Sequence, residues 1–101
     1  IMITKQFVGI QINGITIQDV GKHALDRMKE RFVTVEDMLN TLSNPLAIKP
    51  TKYDTTGRPS FAVIGEKVTI TINPETGKIS TTYPTHTKTA QKLLRSREAQ
   101  K

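Results

Sequence analysis

His23, Arg27 and Arg31 recur at intervals of four. On a helix of 3.6 residues per turn each such step advances about 40°. The three therefore form one stripe on the shoulder of an apolar face made by Ala24, Leu25, Met28 and Phe32, while Asp26, Lys29 and Glu30 point to water. An imidazole exchanges a proton near neutral pH, and a guanidinium clamps a phosphate through two parallel hydrogen bonds. Together they are the minimum for cutting a phosphodiester without metal. The same spacing is given by a solvated basic face with His23 a plain N-terminal helix residue, and both readings stand at this level. A second concentration runs through Thr82-Tyr83-Pro84-Thr85-His86-Thr87, which gathers hydroxyls and the other histidine. A tyrosine can stack on a base or hydrogen-bond a phosphate. Simple strand alternation puts Thr81 and Tyr83 on one face and Ser80 and Thr82 on the other.

Other chemistries lack their residues. There is no cysteine, and the two histidines are far apart with no carboxylate cluster at ligand spacing, so no metal site and no cofactor are expected. The chain has no phosphate-cradling glycine-rich loop and no nucleophile elbow. Its acids are scattered singly, which gives no support to a paired-carboxylate mechanism. The remaining set of His, Arg, Lys, Tyr and Thr suits RNA, where the substrate's own 2′-hydroxyl attacks and the protein moves protons and neutralises charge.

With 101 residues, 36% hydrophobic, the chain has material for one domain with a thin core. Net charge is +6, and residues 88–101 hold five cations against Glu98 alone, a net +4. That balance fits an anionic partner, although a solubilising tail would look the same. No apolar run is long enough to span a bilayer. The opening Ile1-Met2-Ile3 reads as a piece cut from a longer polypeptide.

The elements that must position these residues are legible as patterns. Two β-branched runs joined by Asn13-Gly14 predict a hairpin, expected to be an appended N-terminal segment over 1–20. Helical spacing runs from Lys22 to Phe32. Thr34-Val35-Glu36-Asp37 opens a second helix with Val35, Met38, Leu39 and Leu42 inward, stopped at Ser43-Asn44-Pro45. Strands follow at 59–64, 68–72 and 78–83, with short turns that favour an antiparallel meander. The basic tail 88–101 reads as a marginal helix with too few apolar residues to join the core. The expected class is α+β: a hairpin and two short helices packed on a small twisted antiparallel sheet, with 21–87 as the catalytic core.

The segments HALDRMKER (His23–Arg31), Val35-Glu36-Asp37, Asn44-Pro45, Gly57-Arg58-Pro59, Ile64-Gly65-Glu66-Lys67 and NPETGKI (Asn73–Ile79), closing on Thr82-Tyr83-Pro84-Thr85, resemble a known group. These are the C-terminal ribonuclease toxin domains of bacterial polymorphic toxins, of the contact-dependent growth inhibition and LXG types, with the barnase/EndoU/colicin/RelE-like fold. The resemblance covers about residues 21–86 and departs at Phe32, where a glycine is usual, and at Thr81, where an aliphatic is more usual. It implies RNA bound across the sheet, with His23 as acid or base, Arg27 on the scissile phosphate, and Thr82 and Tyr83 holding it. Arg31, Arg58, Thr85 and His86 follow as substrate contacts, and the basic tail adds Lys88 as a further one. It also implies a monomeric antibacterial endoribonuclease that leaves a cyclic phosphate, with tRNA as the substrate the family association points to. The implied setting is the C-terminal part of a larger secreted or cell-surface protein, active in a target cell's cytoplasm and neutralised by an acidic immunity protein, with no membrane binding by the domain itself. The alternative is a noncatalytic nucleic-acid- or protein-binding module of a phage or secreted protein.

Overall fold

The structure is a computed structural model that describes residues 2–99; Lys101, part of the basic tail, lies outside them. The chain is α+β. In order it runs α1 (Met2–Lys5), β1 (Gln11–Ile12), β2 (Ile15–Thr16), β3 (Asp19–Val20), α2 (Lys22–Glu30), α3 (Val35–Ser43), β4 (Ala47–Ile48), β5 (Lys52–Tyr53), β6 (Pro59–Ile64), β7 (Val68–Asn73), β8 (Lys78–Pro84) and α4 (Thr87–Ala99).

β6, β7 and β8 form the expected antiparallel meander, because Phe61, Val63, Ile70, Ile72 and Ile79 alternate onto one face and are buried there. α2 packs on β8, and α3 packs on β7 and β6. Their Ala24, Met28, Met38 and Leu42 share one core with those strand residues. Thr34 caps α3 as its sequence predicts, its Oγ1 accepting from the Asp37 N–H at 3.0 Å. The full sheet order is β3-β8-β7-β6-β4, with β5 also paired to β6. The sheet is mixed rather than antiparallel, since β3 runs parallel to β8 through Asp19–Lys78 and Val20–Ile79. A parallel neighbour needs a long crossover, and the whole domain between β3 and β8 supplies it.

The N-terminal segment is not merely appended. The Asn13-Gly14 turn forms as expected, with φ of 53° and 78°. Yet Phe7 and Ile17 are fully buried in the common core, joined by Ile12 and Val20. A buried Phe or Ile side chain is worth about 1.5–3 kcal/mol, so this segment helps hold the sheet together.

Phe32 is 89% exposed instead of facing the core. α2 stops at Glu30 with Arg31 as its C-cap, and Phe32 takes φ +54°, the left-handed position that follows a helix. The Val33 N–H reaches back to the Met28 carbonyl at 2.9 Å, and Val33 and Met28 are both buried. This is a Schellman ending, and it hands the core position to Val33. A left-handed residue with a Cβ costs roughly 1–2 kcal/mol, so Phe32→Gly is expected to raise unfolding free energy by about 1 kcal/mol in a denaturant titration.

Candidate active site

A cleft of about 540 Å³ opens on the sheet face opposite the packed helices. Three pieces of chain build it. The first is the start of α2. The Gly21 N–H donates to the Ile79 carbonyl at 2.8 Å, which pins the helix N-terminus to β8. A Cβ at Gly21 would lie 3.0 Å from that carbonyl oxygen and 3.2 Å from the Lys78 side chain, so glycine permits the approach. Lys22 and His23 then line the cleft, and both are exposed. No side chain caps this helix and its first turn holds no acid, so its unsatisfied N–H groups favour an anion.

The second piece is the loop before β6. Asp54 accepts from the Thr56 hydroxyl at 2.7 Å and from the backbone N–H groups of Thr56 and Arg58, each at 2.9 Å. These bonds, the Thr56 hydroxyl first, hold its carboxyl below the usual carboxylate range. The Arg58 Nε donates to Thr56 Oγ1 at 3.1 Å and lies 3.4 Å from Asp54. The loop thus orders itself around Asp54 and sets Arg58 at the cleft wall.

The third piece is the strand floor. Thr71 pairs with Thr81, but Ile72 pairs with Ile79, so Ser80 is an extra residue in β8. This bulge breaks the alternation. Ser80 and Thr81 both line the cleft, with Ser60, Thr71 and Asn73 beside them. Lys78 completes the wall, and Lys52, opposite Ser60 in the β5–β6 pair, adds a cation on the same side. The cleft therefore combines one imidazole, a row of hydroxyls, and Lys22, Arg58 and Lys78 against the single carboxylate of Asp54.

The sequence-based candidates divide accordingly. His23 and Arg58 line the cleft. Arg27 does not: it sits one turn along α2 and pairs with Glu30. Arg31 is at the far end of the helix, about 12 Å along its axis from His23 at 1.5 Å per residue. Thr82 faces the core, with no exposed surface, and its hydroxyl donates to the Thr69 carbonyl at 2.9 Å. Beyond the bulge it shares the inner face with its partner Ile70, and so it cannot touch a substrate. Thr85 uses its hydroxyl on the Gly65 carbonyl at 2.7 Å and on Thr69 Oγ1 at 2.9 Å. Tyr83 is half exposed beside the cleft without lining it, and His86 and Lys88 lie farther on, the Lys88 N–H donating to His86 Nδ1. Lys22, Asp54, Ser60, Thr71, Asn73, Lys78, Ser80 and Thr81 are the polar cleft residues that the sequence reading did not single out. Among the described residues no three His, Cys, Asp or Glu side chains gather as a metal would require, and no helix is long and apolar enough to cross a membrane.

Residues 20–101 match a family described as a domain of unknown function, DUF4258. The chain belongs to DUF4258. The match opens at Val20, the last residue of β3, and takes in α2, the meander and every cleft residue. Phe7 and Ile17 lie before it, so the DUF4258 core is completed here by a segment outside the matched part. No curated protein and no solved structure matches the chain.

Proposed function

We propose that this DUF4258 chain is a metal-independent endoribonuclease domain of the polymorphic-toxin kind its sequence resembles. The observation that carries the reading is the gathering of His23, three cations and a hydroxyl row in one cleft on the open sheet face. In this mechanism an RNA phosphate sits between Arg58, Lys78 and the start of α2. The neighbouring 2′-oxygen attacks phosphorus as the O5′ bond breaks, leaving a 2′,3′-cyclic phosphate and a free 5′-hydroxyl. One proton leaves the 2′-oxygen and one reaches O5′, and His23 carries one of these transfers. Lys22, Arg58 and Lys78 neutralise the charge that grows on the phosphorane, and Ser80 and Thr81 donate hydrogen bonds to its oxygens.

The net charge of +6 supports a polyanionic substrate and, for a toxin, an acidic immunity partner. A toxin role carries with it delivery as the end of a larger secreted protein and tRNA as the first substrate to try. The test is incubation of purified protein with total RNA in excess EDTA. Cleavage is expected to persist. Loss of cleavage in EDTA with rescue by magnesium would overturn metal independence. Tight RNA binding without cleavage in either buffer would leave a binding module.

A further inference from the structure

We infer that the RNA site does not end at the cleft but continues along β8, past Tyr83, to the basic face of α4, so that the protein grips a strand of several nucleotides. This rests on the RNA reading above. Tyr83 follows Thr81 by two residues beyond the bulge and pairs with Thr69, so it shares the open face with the cleft floor and keeps 36% of its surface exposed. A half-exposed ring beside a phosphate site is a stacking platform for a base.

The chain beyond Tyr83 is fixed in place. The Thr85 N–H donates to the Lys67 carbonyl, and the Thr85 hydroxyl ties to Gly65 and Thr69. α4 therefore starts at a set point. Six residues separate Thr81 from Thr87, a reach of roughly 20 Å at most.

α4 is apolar on one face and charged on the other. Ala90 is buried and Leu93 and Leu94 are half buried, yet none of the three belongs to the main core cluster, in keeping with a tail that has few apolar residues. Lys88, Lys92 and Arg95 fall at i, i+4 and i+7, within about 60° on the opposite side, and all three are exposed. The cationic side thus lies away from the more buried apolar side, and Glu98 is the only acid in the helix sequence.

The experiment measures affinity for 2′-deoxy oligonucleotides of graded length by fluorescence anisotropy, beside cleavage of a ribodinucleotide and of a longer RNA. Wild-type affinity is expected to rise at least tenfold from a dinucleotide to about eight nucleotides. Lys92→Gln with Arg95→Gln should erase most of that gain and flatten the log–log salt slope by about 1.4, two contacts at roughly 0.7 each. Tyr83→Ala should weaken long strands about tenfold, and Tyr83→Phe should not. Dinucleotide cleavage should be unchanged in the Lys92→Gln/Arg95→Gln variant. A length gain that survives the Lys92/Arg95 change overturns the track. Cleavage of RNA with no length dependence also overturns it. Length-dependent binding with no cleavage of any RNA supports the track and overturns the nuclease reading instead.

Discussion

His23→Ala is expected to lower RNA cleavage by about 10²–10⁴-fold while the protein stays folded, the range for losing a general acid or base. His23 is exposed near the start of α2 and is not one of the buried residues. Alanine is a good helix former, so unfolding free energy should move by about 1 kcal/mol or less. The contrast with Arg27 is informative. Arg27 pairs with Glu30 and lies outside the cleft, so Arg27→Ala should cost far less activity than Arg58→Ala, the reverse of what the resemblance alone implies. Circular dichroism and a denaturant midpoint for each variant separate lost chemistry from lost structure.

The largest stability effect is expected at Gly65, far from that chemistry. A Cβ there would stand 2.1 Å from Thr41 Oγ1, 2.7 Å from Thr41 Cβ and 2.8 Å from the Val68 carbonyl oxygen. None of these can yield cheaply. Thr41 is fully buried and its hydroxyl donates to the Val68 carbonyl at 2.8 Å, while the Gly65 N–H donates to that same carbonyl at 2.9 Å. Gly65→Ala must therefore push α3 away from the β6–β7 turn and break a buried hydrogen bond. The expected loss is about 3 kcal/mol. For a domain of this size each kcal/mol lowers Tm by roughly 4–8 °C, so a thermal melt reads it directly. A Gly65→Ala protein with wild-type Tm would mean that α3 is not held against this turn as described.

Much of the fold was legible because local and tertiary demands agree. The meander strands alternate, Asn13-Gly14 takes the positive φ its residues favour, and the cap at Thr34 forms with its own helix. Where sequence reading failed, local pattern carried no contrast. Ser80, Thr81 and Thr82 are three hydroxyl residues in a row, so no polarity difference marks which of them faces the core. The bulge decides, sending Thr82 inward and Ser80 and Thr81 to the cleft. β3 is only two residues long, and its parallel pairing is a purely long-range choice. Phe32 has the right helical spacing but sits one step past the C-cap, where backbone geometry overrides periodicity.

The site was legible in part for the same reason. His23 stands out by residue type and Arg58 through the resemblance, and both reach the cleft. Lys22 and Lys78 look like ordinary surface lysines until Gly21 is seen pinning α2 to β8. The Asp54-Thr55-Thr56-Gly57-Arg58 segment does have a local signal, since an aspartate two residues ahead of an acceptable donor favours such a turn.

On the proposed reading, RNA is cut at this cleft by its own 2′-hydroxyl with His23 moving a proton. The most direct measurement is the chemistry of the new ends after digestion in EDTA, read by mass spectrometry on a defined RNA and on its copy with a single 2′-deoxy nucleotide at the cut. The expected result is a 2′,3′-cyclic phosphate facing a 5′-hydroxyl, no cut at the deoxy position, and at least about a hundredfold less product from folded His23→Ala. A 5′-phosphate product, cleavage at the deoxy position, or undiminished cleavage by His23→Ala would contradict it.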